Sequence, residues 1–188
     1  MHIVIILGPP AVGKMSVGQA LAEITGLKLL HNHMISELLW QFFPLGQYSK
    51  DMWRLKDLFT QEILETVAKS DLPGLIYTNM LNFNRPESCE YIQNILDMYE
   101  SHGAKTCVVE LCASLDTRLA RNKTENRLRH KPSKRDIAES ENRLLNAEIK
   151  QRLNSLDGEQ PFANYLKIDS TNLTAEDVAV LIKEKLEE

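Results

Sequence analysis

A glycine-rich stretch near the start of the chain ends in a lysine and combines the groups that bind phosphate. Glycine lets the backbone follow the tight path that turns successive N–H groups into one concavity, and a lysine ammonium group reaches phosphate oxygens as a mobile point charge. The stretch therefore predicts a phosphate-binding loop. Its residues are Gly8, Pro9, Pro10, Ala11, Val12, Gly13, Lys14, Met15 and Ser16.

The residue directly after the lysine departs from the usual phosphate-loop pattern. A Ser or Thr normally stands there, and its hydroxyl coordinates the magnesium ion that bridges the phosphates. Here the position holds Met15, whose thioether is a poor ligand for a hard cation. Ser16 lies about 100° further around the helix axis, where it is expected to hydrogen-bond the α-phosphate. Magnesium is then held by water, nucleotide oxygens and another side chain, or the chemistry is weakened.

The densest positive charge in the chain lies in a stretch with almost no apolar residues, 121–135. A charge run of this kind is most often a solvated surface. Its place between a short and a long predicted helix, opposite the phosphate loop, instead favours a lid that excludes water and brings charge to a transferring phosphoryl group. Arg143, in the next helix, is expected to face the same cleft and to hold substrate or γ-phosphate.

Polar side chains follow the second and third predicted strands. His31 and His33 are two apart, so an extended segment points both the same way, as general bases for a substrate hydroxyl or as groups that recognise it. The alternative is that they only cap the strand end. Asn79 and Asn82 are candidate substrate ligands, and Arg85 can pair with an anionic group, although turn chemistry also explains the asparagines. Neither group has zinc-ligand spacing, so no metal site is predicted.

The apolar pattern predicts the scaffold that brings these loops together. Short apolar runs alternate with segments of helical periodicity, which implies right-handed crossovers, a parallel sheet with helices on both faces, and ligands at the carboxyl ends of the strands. The fold class is therefore α/β with a five-stranded parallel sheet. The predicted strands are 3–7, 27–31, 75–81, 106–112 and 165–169. The principal predicted helices are 14–25, 34–43, 51–69, 86–102, 136–156 and 174–186, with a short one from 114.

Glu110 stands inside the apolar fourth predicted strand. An unpaired carboxylate there would be costly, so it needs a buried partner. A structural ion pair and a role in positioning metal or water in the active site both satisfy that need.

Bulk composition limits the possible functions. A chain of 188 residues with 43% hydrophobic residues is expected to form a single domain, 1–188. The net charge of −4 makes a general nucleic-acid-binding surface unlikely on electrostatic grounds. The 3 cysteines lack metal spacing and no secretory signal is evident, which favours reduced thiols and a cytoplasmic location. No stretch approaches the about 20 apolar residues that span a bilayer, so no membrane partner is expected.

The chain resembles the small P-loop kinases related to shikimate kinase, gluconate kinase and the nucleoside monophosphate kinases. The resemblance covers the order of elements along the whole chain, and three local motifs carry it: the phosphate loop at 8–16, residues 115–121 leading into the basic lid, and the turn at 168–172 before the last helix. It is similar in detail to ATP-binding proteins labelled shikimate-kinase-like. The resemblance implies a three-layer P-loop NTPase fold, ATP with Mg²⁺, and a small-molecule acceptor.

The resemblance also implies roles for individual residues. Arg121 is expected to stack on the adenine, and Arg127 or Arg129 to clamp phosphate as the lid closes. The turn after the fifth strand is expected to border the base through Ser170, Thr171 and Asn172.

Two departures from the kinase pattern leave the reaction open. Shikimate kinases carry paired aspartates after the second strand, where this chain has the two histidines and Asn32, and the third strand ends without an acidic residue. The leading hypothesis is a phosphotransferase that moves the γ-phosphoryl group of ATP to a small hydroxyl-bearing metabolite, with Lys14 and Arg127 stabilising the transfer and His31 or His33 near the acceptor. The alternatives are a nucleotide-binding regulatory protein with vestigial chemistry and a polynucleotide 5′-hydroxyl kinase.

The acceptor is expected to bind among the helices of residues 34–69. Aromatic side chains concentrate there and either line an apolar pocket or pack in the core. They are Trp40, Phe42, Phe43, Tyr48 and Trp53. The sequence indicates neither the acceptor nor an oligomeric state.

Overall fold

The computed structural model describes residues 1–43 and 50–187. Five strands in these ranges form one parallel sheet, as the sequence predicts, and the structure gives their order as β2-β3-β1-β4-β5. Tyr48 and the rest of 44–49, which belong to the predicted acceptor segment, lie outside the described residues. The strands are β1 His2–Leu7, β2 Lys28–His31, β3 Gly74–Thr78, β4 Lys105–Cys112 and β5 Tyr165–Asp169.

Helices cover both faces of the sheet, which confirms the three-layer α/β architecture. None of those in the described ranges is long and apolar enough to cross a membrane. They are α1 Lys14–Thr25, α2 His33–Leu39, α3 Lys50–Ala68, α4 Pro86–Ser101, α5 Leu115–Asn122, α6 Glu125–His130, α7 Ile137–Lys150 and α8 Ala175–Glu187, with a 3-10 turn at Pro132–Lys134 between α6 and α7.

The central strand β1 divides its side chains between two hydrophobic cores. Successive residues of a strand point to opposite faces, so Ile3 and Ile5 pack with α3 and α4, whereas Val4 and Ile6 pack with α1 and α8. All four are 0% exposed. A continuous apolar run, instead of an alternating one, is what burial on both faces requires.

Local residue chemistry sets several helix ends. Gly26 ends α1 with a positive φ of 75°, and its N–H donates to the carbonyl of Ala22. Thr174 and Asp177 exchange hydrogen bonds at the start of α8, since each side chain accepts from the backbone N–H of the other. The predicted cap of α8 is therefore confirmed.

Three predicted element ends are wrong. Strand β3 ends at Thr78, not at residue 81, and the side chain of Asn79 then accepts a hydrogen bond from the N–H of Met80. Helix α2 spans 33–39, not 34–43. Helix α7 ends at Lys150, not near 156, because the following residues leave the helix to bond other parts of the protein, Ser155 among them.

Candidate active site

The phosphate loop leaves the carboxyl end of β1 in a conformation that depends on glycine. Gly8 has φ +138°, and a Cβ there would lie 2.4 Å from the carbonyl oxygen of Leu111. Gly13, with φ +115°, caps α1. Ala11 has φ +61°, a left-handed conformation that no other non-glycine residue in the described ranges adopts. Strain of this kind is typical of ligand-binding loops.

The N–H groups that can bind an anion come from the second half of the loop. Pro9 and Pro10 have no N–H, and the N–H of Val12 donates to the carbonyl of Pro9 at 3.4 Å. The donors that remain belong to the end of the loop and the first turn of α1, where N–H groups have no partner within the helix. An anion bound here also meets the positive end of the α1 dipole.

Lys14 folds back over its own loop. Its Nζ donates to the carbonyl of Gly8 at 2.5 Å and to that of Pro9 at 2.8 Å. Burial lowers the pKa of Lys14 well below its ordinary value, and the nearby charges of Lys131 and Arg127 lower it further. A phosphate ion on the loop would relieve that repulsion.

A cavity of about 250 Å³, here called the phosphate-loop cavity, opens on this loop. The loop forms one side of it, the lid a second and the start of α8 a third. Its lining residues are Ala11, Val12, Gly13, Lys14, Met15, Ser16, Val17, Arg121, Thr124, Arg127, Lys131, Ser170, Leu173, Thr174, Ala175 and Val178. The predicted loop residues from 11 to 16 therefore share one cavity with Arg121, Arg127 and Ser170.

Arg121 ties the phosphate loop to the turn after β5. Its guanidinium donates to the carbonyl of Val12 at 2.8 Å, to that of Ser170 at 2.6 Å and to that of Leu173 at 3.2 Å. Burial lowers its pKa, against the opposing influence of Asp169. The side chain lines the cavity while it holds these bonds, and adenine stacking on it stays a prediction.

The turn after β5 meets the cavity through residues different from those expected. Ser170 lines it, but Thr171 and Asn172 do not. The Thr171 hydroxyl donates to Asp169 and accepts from the N–H of Ser114, so it is used within the turn. The cavity wall continues instead with apolar side chains at the start of α8, Leu173, Ala175 and Val178.

A second cavity of about 240 Å³, the acceptor-side cavity, lies on the other side of Lys14. Lid, phosphate loop, α2 and α7 surround it. Its lining residues are Pro10, Ala11, Lys14, Asn32, His33, Met80, Arg127, Lys131, Lys134, Ser140, Arg143, Leu144 and Ala147. Ala11, Lys14, Arg127 and Lys131 line both cavities, so the two meet at a cluster of positive charge.

The basic stretch folds over the loop as a lid and is held at both ends. The Nδ2 of Asn126 donates to Ser16 Oγ at 3.2 Å and to Gln19 Oε1 at 3.0 Å, which fixes α6 against α1. The hydroxyl of Ser133 donates to Glu37 Oε1 at 2.6 Å, which fixes the 3-10 turn against α2. These contacts place the cationic face of the lid over the phosphate loop.

Only one face of the lid helix reaches the cavities. Arg127 and Lys131 are four residues apart and share that face, whereas Arg129 is exposed and lines neither cavity. Burial lowers the pKa of Arg127. Of the two arginines that the resemblance offered as phosphate clamps, the structure brings Arg127 alone to the site.

Lys131 belongs to the site although sequence reasoning did not single it out. It is 8% exposed, and burial together with the charges of Arg127 and Lys134 lowers its pKa to about 7. The helical spacing from Arg127 is the signal that could have identified it. Without that spacing, it is one cation among many in the lid.

The two histidines do not point the same way, which corrects the expectation from sequence. His31 ends β2, but Asn32 is already helical and His33 begins α2, so the segment is not extended. His33 lines the acceptor-side cavity and His31 does not. Burial and the lid cation Lys131 lower the pKa of His31 to about 4 and that of His33 well below its ordinary value. Both imidazoles are therefore neutral near pH 7.

The polar group after β3 lies beside the acceptor-side cavity, not within it. Asn79 and Arg85 line a separate cavity of about 580 Å³, while Asn82 lines none of the three and accepts a hydrogen bond from the N–H of Asn84. Met80 lines both this cavity and the acceptor-side one. Turn chemistry accounts for the asparagine side chains here, and His33 and Arg143 are the predicted substrate ligands that line the acceptor-side cavity together with Lys14.

Glu110 has a structural environment. Its carboxylate accepts from Asn154, from the N–H and hydroxyl of Ser155, and from the hydroxyl of Tyr165, with Lys167 Nζ at 3.8 Å. The side chain is 0% exposed and lines neither active-site cavity. This network identifies the structural role among the two that the sequence left open.

The described residues around the phosphate loop offer magnesium no carboxylate ligand. Met15 is 6% exposed and lines the phosphate-loop cavity, where its thioether is a poor ligand for Mg²⁺. Among the described residues, no aspartate or glutamate lines either active-site cavity, and no cluster of His, Cys, Asp and Glu is arranged to hold a metal. The described lining thus offers Mg²⁺ hydroxyl oxygens but no carboxylate.

Comparison with known proteins identifies the fold. No protein-family model matches the chain, and no curated protein matches it. A kinase-like protein from Chloroflexus aurantiacus superimposes with a TM-score of 0.64 at 19% identity, covering 99% of this chain and 96% of that one. A gluconokinase from Sinorhizobium meliloti gives 0.56 at 16% identity, covering 99% and 95%. Shikimate kinase from Acinetobacter baumannii gives 0.53 at 18%, covering 100% and 93%. The chain has the fold of the small P-loop kinases.

Proposed function

We propose that this protein is a phosphotransferase that moves the γ-phosphoryl group of ATP to a hydroxyl group of a small metabolite. One observation carries the proposal: the phosphate-loop cavity and the acceptor-side cavity share Lys14, Arg127 and Lys131. Phosphoryl transfer needs donor and acceptor in line with cations around the group that moves between them. The shared lining supplies such a position, and the kinase fold of the structural neighbours agrees with it.

The proposed mechanism depends on positioning and charge. The acceptor oxygen forms a bond to the γ-phosphorus as the bond from that phosphorus to the β–γ bridging oxygen breaks, and ADP leaves. Lys14, Arg127 and Lys131 hold the phosphate oxygens and stabilise the charge on them. His33 is the nearest candidate to accept the hydroxyl proton, because it lines the acceptor side and its imidazole is neutral.

The acceptor side suits a small polar molecule. Its volume of about 240 Å³ is below that of most drug-sized ligand sites, which favours a metabolite over a polymer end. Lys134 and Arg143 line it without lining the phosphate-loop cavity. These two side chains lie on the acceptor side of the shared cations, where they can recognise polar or anionic groups of the acceptor, although Arg143 is also paired with Glu139.

A screen of hydroxyl-bearing metabolites tests the proposal. We expect one class among sugars, sugar acids, nucleosides and aminoglycosides to stimulate ADP release well above background. Arg127→Met should abolish that stimulated rate, whereas Lys69→Met, directly after the end of α3, should keep it. ATP binding without stimulation by any class would contradict the proposal.

A regulatory nucleotide-binding protein is the second candidate, and the burial of Met15 in the phosphate-loop cavity is what favours it. Met15→Ser distinguishes the two by restoring the usual hydroxyl. A large gain in ADP release with Mg²⁺ would favour a protein whose chemistry is weakened. An unchanged, substrate-stimulated rate would favour an enzyme that works without that ligand.

A further inference from the structure

The four side-chain hydroxyl groups that line the phosphate-loop cavity already make hydrogen bonds within the protein. The Ser16 hydroxyl accepts from Asn126 at 3.2 Å, the Ser170 hydroxyl donates to the carbonyl of Cys112 at 3.1 Å, and the Thr174 hydroxyl donates to Asp177 at 2.7 Å. The fourth hydroxyl in the lining, that of Thr124, donates to the carbonyl of Arg121 at 3.0 Å. These neutral hydroxyls are the only side-chain oxygens in the described lining of this cavity, and the carboxylates that Mg²⁺ prefers are absent from it.

Cations take the place that metal ligands occupy in other phosphate sites. Lys14, Arg127 and Lys131 face both active-site cavities, and no carboxylate in the described lining neutralises them there. The Nε of Arg127 is buried and, in the described part of the chain, has no hydrogen-bond partner. A buried, unpartnered guanidinium N–H on a side chain that lines the phosphate-loop cavity is a donor available to a phosphate oxygen.

We propose that the protein binds the triphosphate of ATP without needing a magnesium ion held by its side chains, and that Arg127 and Lys131 of the lid compensate the phosphate charge in its place. This inference rests on the proposed function, since it assumes that the phosphate-loop cavity takes ATP. It concerns nucleotide affinity alone, and leaves the effect of metal on turnover to be measured separately.

The electrostatic reason is direct. A triphosphate complexed with Mg²⁺ carries less negative charge and therefore gains less from the lid cations, and the ion itself is repelled by those cations at short range. Magnesium chelation of the nucleotide then brings no net gain in affinity. A site that used Mg²⁺ as a bridge would show the opposite dependence.

Calorimetric titration of the full chain with the ATP analogue AMPPNP tests this inference. Binding is measured in excess EDTA and in excess MgCl₂ at equal ionic strength, because salt screens such contacts. We expect the two dissociation constants to agree within about fivefold. Lys131→Met should weaken binding in EDTA by about tenfold or more, since it removes a charged phosphate contact. The matched variant Lys123→Met removes an exposed lid lysine that pairs with Glu141, and should change affinity by less than about twofold.

Each result separates this inference from the proposed function. Wild-type binding that falls by more than about fivefold in EDTA overturns the inference alone, and so does equal weakening by the two lysine variants. No binding in either buffer overturns the proposed function together with the inference. A thermal melt of each variant shows that it is folded, so that lost affinity reports on the removed charge.

Discussion

Lys131→Met is expected to make the nucleotide-free protein more stable. Lys131 is 8% exposed, and its pKa is lowered to about 7 from 10.5 by burial and by Arg127 and Lys134. A pKa displacement of that size corresponds to about 5 kcal/mol in the free energy of unfolding. The long lysine stem lets the ammonium group move toward water, which leaves about 2 kcal/mol to be recovered by an apolar side chain of similar volume.

The assay is thermal unfolding at pH 7 and low ionic strength without nucleotide. A gain of about 2 kcal/mol raises the Tm of a chain of this length by about 4–8 °C. Lys123→Met is the control, because it removes the same charge from an exposed position of the lid and should shift the Tm by less than about 2 °C. Added ATP should reverse the order, since it stabilises the wild type more than the variant that has lost a phosphate contact.

The pH dependence gives an independent check on the same reasoning. The pKa of Lys131 is lower in the folded chain than in the unfolded chain, so between pH 7 and 10.5 the unfolded chain holds more protons. The stability of the wild type therefore rises with pH through this window relative to the variant. The gain from Lys131→Met should be largest below pH 7 and fade toward pH 10.5. A Tm below that of Lys123→Met at pH 7, or a gain that ignores pH, would refute the electrostatic argument.

Three further predictions concern the scaffold and the lid. Glu110→Gln replaces one carboxylate oxygen, which accepts hydrogen bonds, with an NH₂ group that faces other donors. It should lower the free energy of unfolding, measured in urea, by about 3 kcal/mol. A loss under about 1 kcal/mol would show that the network is dispensable. Gly8→Ala should lower the free energy of unfolding by about 2–3 kcal/mol and abolish ATP binding, because the added Cβ would lie 2.4 Å from a carbonyl oxygen of β4. The control Gly103→Ala, at φ +75° with open space around it, should lower the free energy of unfolding by about 1 kcal/mol and leave ATP binding intact. Ser133→Ala removes the hydrogen bond from the Ser133 hydroxyl to Glu37, which is worth about 1 kcal/mol. The rate of amide exchange across 125–134 should therefore rise about fivefold, with no rise in α3. Equal exchange rates in the variant and the wild type would mean that this bond does not hold the lid.

The sequence predicts the sheet well because its evidence is local. The apolar run of β1 and the break at Gly26 identify a buried strand and a helix end without knowledge of the rest of the protein. The end of α7 is different in kind. Asn154 and Ser155 leave helical geometry to donate to Glu110, a residue more than 40 positions earlier in the chain. No helical pattern within 136–156 carries that information, because the competing partner lies on another element.

The same division explains which site residues were found. The phosphate loop is contiguous in sequence, so its spacing alone identifies it. The lid is identifiable as a charge run, but which of its cations face the loop depends on the helical phase of Glu125–His130, and that phase separates Arg127 from Arg129. The direction of the His33 side chain depends on the backbone conformation of Asn32. Asn32 is helical and turns the chain, whereas an extended Asn32 would have continued the strand.

The departures at Met15 and at the two histidines have a common physical account. A carboxylate in place of His31 or His33 would pair with Lys131, the cation that most lowers the pKa of both after burial itself, and so reduce the positive charge available to a phosphate. A neutral imidazole leaves that charge intact. A hydroxyl in place of Met15 would serve a metal ion, whose own charge opposes the lid cations. No carboxylate in the described lining of the two cavities faces Arg127 and Lys131. An anion that pairs with these cations also reduces the repulsion that lowers the pKa of His33.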